Sequence, residues 1–573
     1  MSEPAAEATT TKRGLLVADR IAELLASEGV EFIVGFPENR LFDAGAAAGI
    51  RPIIARTERV AVNIADGFAR AANGRRFIPC VMQYGPGAEA AYAAVAQAFG
   101  DRSPILLIPG EFDRDSQDRV PSARAADVYG PITVSAALLN DARQGPAVFR
   151  RALSALRNVR TGPVLVAVAN DVLYERSDGR AWELDYPRGL RAQADPENVR
   201  DVSAALAAAS SAVIVAGQGV LYADATAELV RLAETLDVPV ATTLNGKSAF
   251  PEDHPLSLGT AARTRPPAVD DFLERADVIL GIGTSFTRSL YIAAMPAGAR
   301  LGQIVDDPRD LATGYDVAFG CVGDVKLVLS QLLDEIASGS GSGLGSQRSE
   351  ASGTDPSAVR ERISRARGEF LDAWMPHLTS DASPLSPYRV VWELMQVVDR
   401  RRTVVTHDAG HPRDQIVPFY EAIVPRGYLG WGKSTQLGTG LGLTMGARLA
   451  RPDWLAVNIM GDAAFGMVGM DVETAVRCRI PILTIVLNNG LMGGYTEYMP
   501  NAVSAYGANL LGGDYAGVAA ALGAYAERVD RPEDLRPALE RCIRCVDDGR
   551  PAVLEAITHE EPRLALPSIG DSS

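Results

Sequence analysis

The segment Gly461-Asp462-Ala463-Ala464-Phe465-Gly466, read together with Asn488-Asn489-Gly490, decides the fold. Asn489 follows Asp462 by 27 residues and comes just after the apolar run 482–487. An aspartate at the end of one strand and an asparagine at the end of the next can supply oxygens to one hard cation such as Mg²⁺, which bridges phosphates. Glycines let the backbone approach those phosphates closely. The pair therefore predicts a diphosphate and divalent-cation site, although each half alone is also typical of an ordinary turn.

Size and composition limit the class of protein. A chain of 573 residues predicts three or four domains. Apolar residues make up 47% and charged residues 22%, as in soluble globular proteins, and five scattered cysteines argue against a disulfide framework. The net charge of −15 without a basic stripe argues against a nucleic-acid partner. No long apolar run and no signal-type segment appear, so we expect no membrane association and a cytoplasmic location.

Alternating helical and β-rich runs predict an α/β protein with three doubly wound parallel-sheet domains, at 14–181, 196–335 and 384–557. The Gly/Ser-rich stretch 338–357 is typical of a flexible linker, and 558–573 is predicted as a C-terminal tail. Ligands of parallel sheets bind at the carboxyl ends of the strands. The first and third domains each carry part of one site, so we expect these parts to meet in space.

A second motif gives the site its chemistry. Arg56-Thr57-Glu58 follows a predicted strand, and the helical segment 65–70 (Ala-Asp-Gly-Phe-Ala-Arg) comes after it. Together with 461–466 and 488–490, this resembles the motif set of thiamine diphosphate (ThDP) enzymes. The resemblance implies that Glu58 protonates the aminopyrimidine ring of ThDP, which favours the tautomer that removes the thiazolium proton. Taken alone, Glu58 would be better explained as a helix-start residue, where the macrodipole favours a negative charge, and the predicted cation site reverses that preference.

The resemblance also implies a set of cofactor contacts. ThDP and Mg²⁺ are the expected cofactors, and the metal ligands are the side chains of Asp462 and Asn489 and the backbone carbonyl of Leu491. Leu437 is the apolar wedge under ThDP, although its segment is also an ordinary glycine-rich turn before a helix. The remaining predicted cofactor-binding residues are Gly85, Gly461, Ala463, Ala464 and Met492.

Candidates for the reacting end are less specific. Gln83 stands where relatives have a small residue, and Glu111 and Phe112 follow the third strand, so we expect all three to border the substrate, with Gln83 and Glu111 as candidate catalytic residues. Glu497 is the candidate acid/base, with a solvated loop charge as the alternative. His407 and His411 are either a proton relay or polar loop groups, and both interpretations stay open.

The flanking residues suggest one branch of the family. Residues 461–474 (GDAAFGMVGMDVET) are similar to oxalyl-CoA decarboxylases and 2-hydroxyacyl-CoA lyases. The central segments 217–223 and 259–263 are similar to the same branch, which implies that Gln218, Gly219 and Arg263 bind the nucleotide end of coenzyme A. The alternatives are a central domain without a ligand, or one that binds FAD as in acetolactate synthases.

The resulting prediction is a ThDP-dependent carbon–carbon lyase. It cleaves the C1–C2 bond of a 2-hydroxyacyl-CoA, such as 2-hydroxyisobutyryl-CoA, reversibly to formyl-CoA and a ketone or aldehyde. The alternatives are an oxalyl-CoA decarboxylase, an acetolactate synthase-like decarboxylase or carboligase of 2-oxo acids, and a noncatalytic nucleotide-binding protein of this fold. The resemblance implies a site built across two subunits, hence a homodimer at least and a tetramer by expectation. The tail 558–573 is expected to close over the site as a lid.

Overall fold

The computed structural model describes residues 15–37, 39–119, 123–158, 161–177, 181–338 and 356–566. Three six-stranded parallel sheets follow one another along the chain and confirm the predicted α/β class with three doubly wound domains. Each sheet lies inside one predicted domain range, while the domain boundaries themselves stay predictions. Residues 339–355, which make up most of the linker predicted at 338–357, lie outside the described residues.

The first sheet has the strand order β2-β1-β3-β4-β6-β5. Its central strands β3, β4 and β6 are buried along their whole length, because helices cover both faces of the sheet. Buried parallel strands are therefore continuous apolar runs in the sequence. The strands are β1 Phe32–Gly35, β2 Arg51–Ile54, β3 Pro79–Met82, β4 Leu106–Glu111, β5 Ser135–Leu139 and β6 Val164–Ala169.

The second sheet has the order β12-β11-β10-β7-β8-β9, and its strands are also parallel. Its first strand in the sequence, β7, lies near the centre of the sheet. The next two strands are added on one side of β7 and the last three on the other side, as in nucleotide-binding folds. The strands are β7 Ala212–Ala216, β8 Val240–Thr242, β9 Ser257–Thr260, β10 Val278–Ile282, β11 Arg300–Val305 and β12 Phe319–Val322.

The third sheet has the order β14-β13-β15-β16-β18-β17. Strands β15 and β16 are neighbours, with Gly461 opposite Leu487 in the ladder. The residues that follow these two strands, Asp462 and Asn489, therefore emerge at the same edge of the sheet. The strands are β13 Thr403–His407, β14 Tyr428–Leu429, β15 Leu455–Gly461, β16 Leu483–Asn488, β17 Tyr525–Val529 and β18 Ala552–Ile557.

Helices cover the three sheets. In the described residues no helix is both long enough and apolar enough to cross a membrane. The α-helices are Val17–Ser27, Leu41–Ala47, Glu58–Ala71, Pro86–Gly100, Ala125–Val128, Gly145–Arg157, Asn170–Leu173, Pro196–Ala208, Gln218–Tyr222, Thr226–Leu236, Pro267–Glu274, Val325–Ser338, Pro356–Leu378, Pro387–Val397, His411–Ile416, Thr439–Ala450, Asp462–Val468, Val472–Arg477, Pro500–Tyr506, Tyr515–Ala521 and Pro532–Asp547. Short 3₁₀ helices are Arg114–Ser116, Gly130–Ile132, Ala142–Gln144, Pro308–Asp310 and Gly469–Asp471.

The first and third domains dock through two helices, Glu58–Ala71 and Thr439–Ala450, whose backbones touch. A Cβ atom at Gly67 would lie 2.1 Å from the Leu443 carbonyl oxygen, and one at Gly446 would lie 2.0 Å from the Ile64 carbonyl oxygen. Only glycine permits such an approach. Glu58 lies in the first turn of the helix Glu58–Ala71, and Leu437 lies two residues before the helix Thr439–Ala450. The contact between the two helices therefore fixes the position of Glu58 relative to Leu437.

Buried polar groups join the first domain to the second. Arg70 pairs with Asp66 at 2.6 Å and with Asp101 at 2.8 Å. From the second domain, the Asn245 amide donates to Asp101 Oδ1 at 2.6 Å, and the Gln218 amide donates to the Asp101 carbonyl at 2.6 Å. Because buried charges are costly unless partnered, this network favours one arrangement of the two domains.

A buried ion pair joins the second domain to the third. Lys247 Nζ lies 2.6 Å from both carboxylate oxygens of Glu252 and donates to the Val417 carbonyl at 3.1 Å. The backbone amide of Ala422 donates to Glu252 Oε2 at 2.7 Å. Val417 and Ala422 belong to the third domain, so each member of the ion pair gains a further hydrogen bond when the two domains are docked.

Candidate active site

The carboxyl ends of strands β13, β15 and β16 open into a cavity of about 340 Å³. Its lining includes Asp462, Asn489 and Leu437, so the structure brings together the predicted metal ligands and the predicted wedge. The other lining residues are Pro387, Ala409, Gly410, His411, Pro412, Gln415, Gly461, Ala463, Ala464, Met467, Leu487, Leu491, Met492, Gly493, Tyr495, Thr558 and His559.

Asp462 is the first residue of the helix Asp462–Val468 and is 3% exposed. Its Oδ1 accepts from the Ala463 amide at 2.8 Å, and its Oδ2 accepts from the Gly490 amide at 3.0 Å. Burial raises the pKa of the Asp462 carboxyl, while these amides oppose the shift. A bound cation would favour the ionised form, because an opposite charge at contact outweighs desolvation.

Asn489 and Leu491 complete the ligand set. Gly490 has a φ of +68°, so the chain turns tightly after β16, and the Leu491 amide donates to Asn489 Oδ1 at 3.0 Å. One carboxylate, one amide oxygen and one backbone carbonyl suit Mg²⁺, which takes oxygen ligands and leaves positions for phosphate and water. Among the described residues no cluster of three His, Cys, Asp or Glu side chains could hold a metal by itself. The donor set thus fits a cation that is shared with a diphosphate.

Phosphate oxygens have donors close to these ligands. Gly461 ends β15 and caps the helix Asp462–Val468, whose first backbone amides are those of Ala463 and Ala464. Both alanines line the cavity, and Ala464 is buried. Amides at a helix start attract anions, so these residues fit the diphosphate role predicted for them, and the Ala463 amide also donates to Asp462 Oδ1.

The turn that carries Leu437 is held by Asp408, which sequence reasoning did not single out. Asp408 accepts from the amides of Ala409 at 2.8 Å, Gly438 at 2.8 Å and Gly440 at 2.9 Å. Burial raises the pKa of its carboxyl to about 6, although the three hydrogen bonds lower it. Gly438 has a φ of +86°, a conformation that glycine adopts readily. Half-buried Leu437 therefore reaches the cavity on a fixed turn. An aspartate followed by a glycine after a buried strand is the only sequence signal for this role.

The two histidines near β13 lie in different surroundings. His407 is fully buried, stacks on Trp431 with ring centroids 5.0 Å apart, and has its pKa lowered to about 3 by burial. It is absent from the cavity lining and acts in packing. His411 lines the cavity, and burial lowers its pKa, so its imidazole is neutral at neutral pH. Neither open interpretation fits His407, which is buried at the end of β13, whereas His411 keeps a polar role.

Glu58 opens the helix Glu58–Ala71, which Thr57 caps by accepting from the Val60 amide at 3.3 Å. A Cβ atom at Gly87 would lie 3.0 Å from Glu58 Oε1 and 2.8 Å from the Gln83 Cβ, so Glu58 faces Gly87 close to Gln83. Burial raises the pKa of the Glu58 carboxyl. Neither Glu58 nor Gln83 lines the cavity of its own chain.

Glu111 and Phe112 follow β4 beside this region. Glu111 is 1% exposed, and its two oxygens accept from the amides of Phe112 at 3.0 Å and Ala125 at 3.2 Å. Both oxygens are thus engaged in holding a loop, and a catalytic role for Glu111 stays a prediction. Phe112 packs on Tyr84 with ring centroids 4.9 Å apart and lies near Gly85, whose φ is +60°. These rings are available to border a substrate.

The loop after Leu491 forms the mouth of the cavity. Met492 lines the cavity and is fixed by its amide, which donates to the Asn509 carbonyl at 2.8 Å. Tyr495 also lines the cavity and is half exposed. Glu497 is exposed and does not line the cavity, because the loop turns outward after Tyr495. The structure therefore does not bring Glu497 to the predicted metal ligands, and its acid/base role stays a prediction.

The predicted coenzyme A residues are separated and already bonded within the protein. Gln218 and Gly219 line a small cavity of about 50 Å³ at the carboxyl end of the second sheet. The Gln218 amide is bound to the Asp101 carbonyl and to the Tyr222 hydroxyl, each at 2.6 Å. Arg263 lies outside that cavity and pairs with Asp414 of the third domain at 3.0 Å. A nucleotide role for these residues stays a prediction.

Comparison with known proteins agrees with this geometry. Three models of thiamine pyrophosphate enzymes match: the N-terminal TPP-binding domain at 16–129, the central domain at 199–332 and the C-terminal TPP-binding domain at 408–556. The chain belongs to the thiamine diphosphate-dependent enzymes of the acetolactate synthase-like superfamily. It is therefore an enzyme, its cofactor is thiamine diphosphate, and Mg²⁺ is the usual metal of the family.

Similar proteins cover nearly the whole chain. A probable acetolactate synthase large subunit of Methanocaldococcus jannaschii is 28% identical, over 96% of this chain and 93% of that protein. Acetolactate synthase large subunit IlvG of Mycobacterium tuberculosis is 29% identical, over 99% of both chains. A sulfoacetaldehyde acetyltransferase of Alcaligenes xylosoxydans xylosoxydans is 27% identical, over 95% of this chain and 93% of that protein. These similarities support membership of the superfamily. They do not assign this chain to the acyl-CoA branch.

Proposed function

We propose that this enzyme is a 2-hydroxyacyl-CoA lyase, which cleaves a substrate such as 2-hydroxyisobutyryl-CoA reversibly to formyl-CoA and a ketone or aldehyde. One observation carries the proposal. Among the described residues that line the cavity, none is a lysine or an arginine, and the walls beyond the metal ligands are largely apolar. A free 2-oxo acid or an oxalyl group brings a carboxylate that would need a cation there, whereas a thioester is neutral at its reacting end.

The residues of this chain have separate tasks in that reaction. Asp462, Asn489 and the Leu491 carbonyl would hold Mg²⁺, and the helix that starts at Asp462 would bind the diphosphate. Leu437, on the turn that Asp408 fixes, would pack against the cofactor. ThDP, when bound, would supply the nucleophilic carbon and the electron sink for the cleaved bond.

A second copy of the chain completes the site in this proposal, as a homodimer at least and a homotetramer by expectation. The support is geometric. Glu58 is absent from the lining of its own chain's cavity, and its carboxyl faces Gly87. The cavity mouth also carries exposed apolar side chains, with Met467 53% and Tyr495 48% exposed. An apolar rim of this kind suits a protein partner, and the first domain of another copy would bring Glu58 to it.

Coenzyme A binding by the second domain belongs to the same proposal. The cavity of about 50 Å³ beside Gln218 is far smaller than the roughly 300 to 1,000 Å³ of ordinary ligand pockets. Gly219 also lines a larger cavity of about 400 Å³, which is of that size. The nucleotide would therefore lie in the larger cavity, or the Gln218 contacts would open on binding. Arg263 would have to leave Asp414 to reach it.

The tail is proposed as part of the active-site wall. Thr558 and His559 line the cavity, and the Leu385 carbonyl accepts from the His559 amide at 3.1 Å. Farther on, the Ala565 carbonyl accepts from the Arg265 amide at 2.9 Å, so the described part of the tail packs on the second and third domains. Residues 567–573 of the predicted lid lie outside the described part of the chain. Truncation before Thr558 tests the lid, because unchanged turnover would exclude it.

The experiment offers the purified enzyme formyl-CoA with acetone or with a series of aldehydes, in the presence of ThDP and Mg²⁺, and identifies acyl-CoA products by mass. The expected result is a 2-hydroxyacyl-CoA. The names of the relatives favour a second candidate, carboligation of 2-oxo acids as in acetolactate synthases. Pyruvate is therefore assayed in parallel. Consumption of pyruvate with no product from CoA esters would refute the lyase.

A further inference from the structure

The cavity contains an imidazole whose polar atoms the fold does not use. His411 begins the helix His411–Ile416 and lines the cavity. Its Nδ1 is shielded from solvent and has no hydrogen-bond partner among the described residues. A shielded polar atom without a partner is costly, so we expect a ligand or a water to complete its hydrogen bond. His411 therefore has an unused bond beside the predicted cofactor site.

The surroundings of His411 fix the position of its ring. A Cβ atom at Gly493 would lie 2.7 Å from His411 Nδ1, and one at Gly494 would lie 3.4 Å from Nε2. The turn after the metal ligand Leu491 thus rests directly on the imidazole. Gly410, just before His411, has a φ of +87° and turns the chain away from β13 into the helix. The ring is held between the predicted cofactor site and the mouth loop, where a substrate enters.

The charge state of the ring is set by its neighbours. Burial lowers the pKa of His411, and Arg263 and Arg413 act in the same direction, while Asp414 and Glu560 oppose them. A neutral imidazole has one donor and one acceptor and can take up a proton. The exposed Glu497 has no comparable position, since it lies outside the cavity lining.

We infer that His411 binds the 2-hydroxyl group of the substrate and carries its proton during cleavage. This inference rests on the proposed lyase function. The proton passes from the hydroxyl to the imidazole, the O–H bonding pair becomes the second bond of the released carbonyl, and the C1–C2 bond breaks with its pair on C1. The imidazole then returns the proton to C1 as formyl-CoA leaves. Atoms and charge balance, and no oxidant or co-reactant is required.

Two substitutions separate this role from packing. His411→Phe keeps a ring under Gly493 and Gly494 but removes both nitrogens, whereas His411→Gln keeps polar atoms without the ring. Acid–base catalysis contributes about 10²- to 10⁴-fold, so the kcat of His411→Phe should fall by that factor, and His411→Gln should lose less. His254→Phe, on the second domain, is the matched control and should keep kcat within about twofold.

The second readout does not depend on substrate turnover. ThDP affinity, from fluorescence quenching, and deuterium exchange at the thiazolium carbon, from NMR, should stay within about threefold of wild type in His411→Phe. Turnover within about threefold of wild type would overturn the inference. A loss of affinity or exchange equal to the loss of turnover would also overturn it, by assigning His411 to packing. If the wild type uses only pyruvate, the lyase proposal fails, and with it the 2-hydroxyacyl substrate assigned to His411. The same variants assayed on carboligation then decide about His411, and equal rates would reject it.

Discussion

Replacing Gly446 by alanine tests the docking of the first and third domains. A Cβ atom there would lie 2.0 Å from the Ile64 carbonyl oxygen and 2.5 Å from the Phe68 nitrogen. A carbon–oxygen contact needs about 3.3 Å, so the two helices must separate by about 1.3 Å. Overpacking costs about 1 to 3 kcal/mol, and the upper value applies because backbone atoms cannot rotate away. Alanine regains about 1 kcal/mol in helix propensity. The expected net loss of stability is about 2 kcal/mol.

Gly368→Ala is the matched control. Gly368 also lies inside a helix, and its added Cβ would meet nothing within 4 Å. Thermal scans at one heating rate should place the Gly446→Ala transition about 4 to 8 °C below wild type and the Gly368→Ala transition slightly above it. Turnover of Gly446→Ala should fall about 100-fold, because the separated helices displace Glu58 and Leu437 by about 1 Å. Equal stability and turnover in the two variants would refute the argument.

Three further outcomes are expected at the site. Glu58→Gln should keep ThDP affinity but lose at least about 100-fold in kcat and in thiazolium exchange, and undiminished turnover would exclude Glu58 as the activating carboxylate. Asp462→Ala should raise the Mg²⁺ concentration needed for half-maximal ThDP binding by at least about 100-fold, as measured by fluorescence titration, while an unchanged titration would remove Asp462 from the metal site. Asp408 has a pKa of about 6, above the ordinary 3.8. The stability that this raised pKa contributes is therefore fully present below pH 3.8 and is lost as the pH rises through 6. In urea unfolding, the free energy of unfolding of wild type should therefore fall by up to about 3 kcal/mol relative to that of Asp408→Asn between pH 4 and pH 7. Parallel pH curves for the two proteins would contradict this.

Buried strands were the most predictable elements. The apolar runs 32–35, 212–216 and 278–282 predict strands from the sequence, and the structure has strands with the same limits. The reason is that parallel strands covered on both faces are continuous apolar segments. The pairing of Asp462 with Asn489 was also predictable, since residues that follow adjacent parallel strands share one sheet edge. Local pattern and sheet geometry were sufficient for both.

Contacts distant in sequence were not predictable in the same way. Asp408 bonds to Gly438 and Gly440, about thirty residues further on, and no local pattern encodes such a partner. The exposure of Glu497 depends on where the loop turns after Tyr495, which its irregular sequence does not determine. The nucleotide prediction for Arg263 likewise overlooked a carboxylate, Asp414, that belongs to another domain.

The buried pair of Lys247 and Glu252 limits how this protein can evolve. In sequence the second domain resembles an independent module, but its buried ion pair is fully hydrogen-bonded only with the Val417 carbonyl and the Ala422 amide of the third domain in place. Leaving a buried polar group without its hydrogen bond costs about 1 to 3 kcal/mol, a sizeable part of an ordinary domain's stability. Because both contacts are made by backbone atoms, recombination that exchanges the second domain between relatives needs a recipient whose backbone follows the same path at 417–422. Chimeras in which that path differs should lose stability.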